Sequence, residues 1–118
     1  MIAYEKTANG IVELTVSGRV TKDEVTAACE RMARDIEEAG TVRVLENVVG
    51  FEGIGLAAIW EDLRLALPLA RKIDKVAVVA DQGWIRAAVG VGRLFTSAEI
   101  RHFAPGEAAA ARLWLAEA

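Results

Sequence analysis

The chain has 118 residues, 53% of them hydrophobic, with 14 Lys or Arg against 17 Asp or Glu and a formal net charge of −3. That length fits a single domain over residues 1–118 with one apolar core. The acidic balance and scattered basic residues exclude a phosphate-tracking nucleic-acid surface, and the lone cysteine, Cys29, excludes an internal disulfide or a multi-cysteine metal site.

Residues 2–6 read as a short strand, and Asn9-Gly10 is a strong hairpin signal. Ile11 to Ser17 then alternates cleanly, with Val12, Leu14 and Val16 on one face, and Gly18 is expected to end that strand. Thr21-Lys-Asp-Glu24 is a capping box that opens a helix. Val25, Ala28, Cys29, Met32 and Ile36 form its apolar stripe, and Gly40 closes it. Val42 to Val49 is the third strand. Gly50, Gly53 and Gly55 follow as a strand-to-helix turn, which is a weak anion-loop signal because no Lys comes after it.

The next helix, about 54–72, is more apolar than a surface helix and more charged than a membrane span. Pro68 should kink it or end it near Leu67. A fourth strand covers 75–80, and Asp81 offers an N-cap to a helix over about 82–95 that contains the closely spaced Gly90 and Gly92. Glu99 to Phe103 is the last strand. A C-terminal helix from about 106 to 117 should pack through Ala110, Leu113 and Trp114. The order β-β-α-β-α-β-α-β-α implies an α/β fold: a five-stranded mixed sheet, first strand antiparallel and the rest parallel, with four helices. The alternating polarity of the strands places the helices mostly on one face.

Chemistry-bearing constellations are few. His102 is the only histidine and lies in a strand, far in sequence from Cys29, so neither a metal site nor an activated nucleophile is expected. Glu61 and Asp62 are neighbours one apart and do not share a helix face, which makes them a poor acid/base pair. No catalytic residue and no cofactor is expected.

The excess apolar surface is the remaining signal. Leu56, Ile59, Trp60 and Leu63 crowd one side of the first apolar helix, and Trp84, Ile85 and Phe95 supply a facing set. Arg86 and Arg93 lie seven apart and could contact an anionic or membrane surface. Such a pair of helices could hold a lipid or other nonpolar small molecule, rest on a bilayer, form a homodimer or protein interface, or simply pack on the sheet. The opening Met1-Ile-Ala-Tyr-Glu-Lys6 lacks a basic start and an apolar run, which points to a cytoplasmic protein, with peripheral membrane attachment as the variant.

Several strings resemble the SpoIIAA-like family, small bacterial relatives of STAS domains grouped with Sec14-like (CRAL-TRIO) lipid-binding folds. They are Val16-Ser-Gly18, Phe51-Glu-Gly53 with Leu56-Ala-Ala-Ile-Trp-Glu-Asp-Leu63, Val76-Ala-Val-Val-Ala-Asp81 with Trp84, and Phe95 through Phe103. The resemblance spans essentially the whole chain. It implies the same mixed sheet with four helices, and nonpolar-ligand binding or peripheral membrane association through movable helices. Anti-sigma-factor antagonists of the wider group carry a phosphorylatable Ser after the third strand. Here Gly53-Ile-Gly-Leu56 offers no hydroxyl, so that kinase-operated switch is not carried over.

Overall fold

The computed structural model describes residues 1–54, 68–69, 71–81 and 98–117, with side chains outside 50–54. Five strands form one sheet in the order β1-β2-β3-β4-β5: β1 Ile2–Ala8, β2 Ile11–Val20, β3 Val42–Ile54, β4 Ile73–Val79 and β5 Glu99–Phe103. Only β1 runs antiparallel to its neighbour, as the tight turn at Asn9-Gly10 requires. Gly10 has φ +79, and a Cβ there would stand 3.4 Å from the Thr41 carbonyl oxygen. Its own carbonyl accepts from the Arg43 N–H at 2.7 Å, so this turn docks on the start of β3.

Helix α1, Lys22–Ala39, begins at the expected capping box: Thr21 accepts from the Glu24 N–H, and Glu24 accepts from the Thr21 N–H at 2.9 Å. It closes with the Gly40 N–H donating to the Ile36 carbonyl at 2.6 Å. Met32 and Ile36 are buried against Val42, Val44, Val76 and Val78, and Tyr4, Leu14 and Val48 pack around them. The second helix, α2, Ala108–Ala116, buries Ala111, Trp114 and Leu115 against Leu45, Ala77 and Val79. Because successive strand residues point to opposite faces, these two clusters lie on opposite sides of the sheet.

Several expectations need correction. β2 does not stop at Gly18. It continues to Val20, and the ladder absorbs Gly18 (φ +60) with register shifts on both sides. β3 continues to Ile54, pairing Phe51 with Gly18, Gly53 with Arg19 and Ile54 with Val20. The expected glycine turn at 50–55 is therefore strand as far as Ile54, because the overhanging end of β2 supplies hydrogen-bond partners for it. Pro68 and Leu69 are helical, within the expected span of 54–72, and the Lys72 N–H donates to the Leu69 carbonyl at 2.9 Å. On α2, Ala110 and Leu113 face solvent, Leu113 with 71% of its surface exposed. The stripe is 111, 114 and 115, since Trp114 fixes the helix phase by sitting against Phe103 with ring centroids 6.1 Å apart. Of the described helices, α1 and α2 lie on opposite faces. Of the four expected helices, α1 and α2 are described, and those over 54–72 and 82–95, with Gly90 and Gly92, otherwise fall outside the described residues. Among the described residues, no helix is long and apolar enough to cross a membrane.

Candidate functional site

Leu56, Ile59, Trp60, Leu63, Trp84, Ile85 and Phe95, together with Arg86 and Arg93, lie outside the described residues. The frame that positions their segments is described. The segment after β3 and the segment after β4 both leave from the carboxyl ends of adjacent parallel strands, the end at which open α/β sheets gather ligands. Where the chain is described again, Leu69 and Ala98 both pack against the cluster on the α1 face.

On that face one row crosses all five strands: Tyr4, Leu14, Glu46, Val78 and His102 are successive register partners. Glu46 is at its centre. Its cross-strand neighbours are Leu14 and Val78, and its neighbours along β3 on the same face are Val44 and Val48. All four belong to the apolar cluster or pack on it. Glu46 is only partly exposed, and among the described residues its carboxyl has no hydrogen-bond or ion-pair partner. Removal from water disfavours the charged form and raises its pKa.

The two ends of the row are engaged. Tyr4 donates its hydroxyl to Asp35 of α1 and lies under the Arg31 guanidinium, which is 4.4 Å from the ring centroid. Burial, and then the bond to Asp35, push the Tyr4 hydroxyl above its ordinary range. His102 places Nε2 2.7 Å from the Ala80 carbonyl oxygen, so that nitrogen carries the hydrogen and donates. This is the cross-strand role expected for a strand histidine. Among the described residues, no three His, Cys, Asp or Glu side chains converge as metal ligands.

Two cations on the α2 face are engaged by the helix. Arg43 and Lys75 are register partners on β3 and β4, and both point at the carboxyl end of α2. Arg43 Nη1 donates to the carbonyls of Leu115, at 2.7 Å, and Glu117. Lys75 Nζ donates to those of Trp114 at 3.3 Å and Glu117 at 3.1 Å, and lies 4.9 Å from the Trp114 ring centroid. These cations cap carbonyls that the helix cannot bond itself. A cavity of about 320 Å³ beside them, lined by Asn9, Thr41, Arg43 and Asp74 among others, lies at the amino end of the parallel strands. Its Arg43 is already held by Asp74 at 3.3 Å and by the α2 carbonyls.

The sequence reading missed Glu46. The signal was present: a carboxylate interrupts the period-two run Val42, Val44, Val48 at a core-facing position.

Comparison with known proteins agrees with this architecture. No curated protein matches the chain. Among solved structures, an uncharacterized DUF3478-family protein with a SpoIIAA-like fold from Shewanella loihica PV-4 superposes with a TM-score of 0.75 at 21% identity, covering 98% of this chain and 92% of that one. The anti-sigma factor antagonist SpoIIAA in its unphosphorylated form gives 0.57 at 13% identity, covering 97% of this chain and 98% of that one. The phosphorylated Bacillus cell fate determinant SpoIIAA gives 0.55 at 13% identity, covering 96% and 99%. At these identities the likeness is one of fold. The model of the SpoIIAA-like family matches residues 11–116, from the first residue of β2 to the last of α2, and the chain belongs to that family.

Proposed function

We propose that this protein is a non-catalytic STAS-like domain that takes up a nonpolar ligand, or the surface of a lipid bilayer, on the α1 side of its sheet. Two further helices, one between β3 and β4 and one between β4 and β5, would cover that side. Leu56, Ile59, Trp60 and Leu63 would face Trp84, Ile85 and Phe95 across the site, with Arg86 and Arg93 toward an anionic membrane surface. The observation that carries this reading is the convergence of the two connections. Both leave from the carboxyl end of the sheet, and Leu69 and Ala98 return to the same apolar cluster. Right-handed crossovers through strands in the order β2-β3-β4-β5 would bring both to the side that α1 occupies. The unusual apolarity of both segments then needs an occupant beyond the sheet.

The test is binding of neutral and anionic liposomes, followed by Trp emission and co-sedimentation. A blue shift with pelleting is expected. Trp60→Ala should lose most of it while its thermal midpoint stays near that of the parent. Equal binding by parent and variant at equal stability would refute Trp60 as a lining residue.

One observation favours a second reading, an interaction module that binds a protein partner or a second copy of itself. Two of the structural neighbours are SpoIIAA, one named as an anti-sigma factor antagonist, a role exercised on another protein. Light scattering showing concentration-dependent mass, with no response to liposomes, would favour it.

A further inference from the structure

Within the proposed nonpolar site, we propose that Glu46 is the polar anchor, and that the ligand it selects is an amphiphile with an ammonium head group. This inference rests on the preceding reading of the α1 face. Glu46 stands on the central strand, with two strands on either side of it. Leu14, Val78, Val44 and Val48 surround it, so no neighbour in the sheet can donate a hydrogen bond to its carboxyl. The other polar members of its row are two strands away, about 10 Å at the usual strand spacing. Both are turned to other partners, Tyr4 to Asp35 and His102 to Ala80.

Three charged side chains on the opposite face are paired. Lys75 reaches helix carbonyls, Arg43 reaches carbonyls and Asp74, and Glu13 binds Arg112 through two bonds of 3.0 Å. A lone carboxyl in an apolar wall destabilises the fold relative to an aliphatic residue. Such local inconsistencies concentrate at functional sites. An ammonium head would give the carboxylate the opposite charge and the hydrogen bonds it lacks, while the alkyl tail continues the apolar surface. A fatty acid would set a second carboxylate against the first.

The probes are dodecylamine and dodecanoic acid, both below their micellar concentrations, titrated calorimetrically into the parent, Glu46→Gln and Glu46→Leu. The parent should bind the amine at least about tenfold more tightly than the acid, and Glu46→Leu should erase that preference. Glu46→Gln should keep part of it, through its carbonyl oxygen. Both variants should fold, since each removes a poorly solvated charge.

The amine preference surviving in Glu46→Leu would overturn the proposal while leaving the nonpolar site intact. A parent that prefers the acid would do the same and would point to Arg86 and Arg93 as the head-group contacts. Binding of neither probe by any of the three proteins would defeat the nonpolar-site reading itself. Repeating the titration with dodecylamine held in phosphatidylcholine vesicles separates the two sources of the head group. Preference for the free amine assigns a soluble ligand, and preference for the vesicle assigns a membrane-borne one; either supports the anchor.

Discussion

The two faces of the sheet handle charge in opposite ways. On the α2 face, Arg43 and Lys75 are brought in from β3 and β4 and find acceptors. Arg43 and Lys75 close the end of α2, whose own last turn contains no basic residue. Arg112 forks onto Glu13, which lies directly opposite Glu5 on the antiparallel pair. Like charges in that position repel, and the guanidinium relieves the repulsion. On the α1 face, the central position of the central strand holds an acid surrounded by aliphatic side chains. Those paired cations read as scaffold. A half-buried acid that has no partner among the described residues is the position at which a bound group would be most strongly felt.

Three substitutions would break or sharpen this contrast. The largest effect is expected from Trp114→Ala. Trp114 is only 6% exposed, packs on Phe103 and lies beside the Lys75 ammonium. Its loss should cost about 3–5 kcal/mol in urea unfolding and release α2 from the sheet. A loss below about 1 kcal/mol would mean that α2 is not the anchor of that face.

Glu46→Leu should act in the opposite direction and be smaller, a gain of about 1–3 kcal/mol near neutral pH. The sign follows from proton linkage. The folded-state pKa of Glu46 is raised by desolvation, so the folded protein holds its proton more tightly than the unfolded chain does. The contribution of the protonated acid is fully present below about 4.3, the unfolded value, and is lost as pH rises through the folded value. The advantage of Glu46→Leu over the parent should therefore be smallest in acid and widen across that interval. A difference independent of pH would show that Glu46 is solvated.

The smallest effect is expected from Arg112→Ala. The pair with Glu13 is bidentate, but Arg112 is more than half exposed, and a loss of at most about 1 kcal/mol, reduced by salt, is expected. A larger loss that persists in 1 M salt would show that packing of the Arg112 stem, rather than charge, holds that corner.

Much of the frame was legible locally. Asn9-Gly10 encoded the hairpin, the Thr21–Glu24 box and Gly40 encoded both ends of α1, and its stripe reached the core at Met32 and Ile36. The last strand was placed at Glu99–Phe103, where it is found. The candidate site was legible only in part. The apolar segments could be picked out by composition. Glu46 instead looked like one more polar residue in an alternating strand. The phase of α2 was also misread, because a helix with four consecutive alanines offers several nearly equivalent faces.

The sequence by itself determined the five strands, the two described helices and their order, because caps, tight turns and hydrophobic period act over a few residues. Tertiary structure alone decided four things: that β3 runs on to Ile54, that α2 turns Trp114 and Leu115 inward, that Arg43 and Lys75 serve a helix end far along the chain, and that Glu46 is set among aliphatic side chains. Each depends on what a remote segment supplies. An overhanging strand, an aromatic partner, a set of unbonded carbonyls and an aliphatic wall exist as neighbours only once the sheet has assembled.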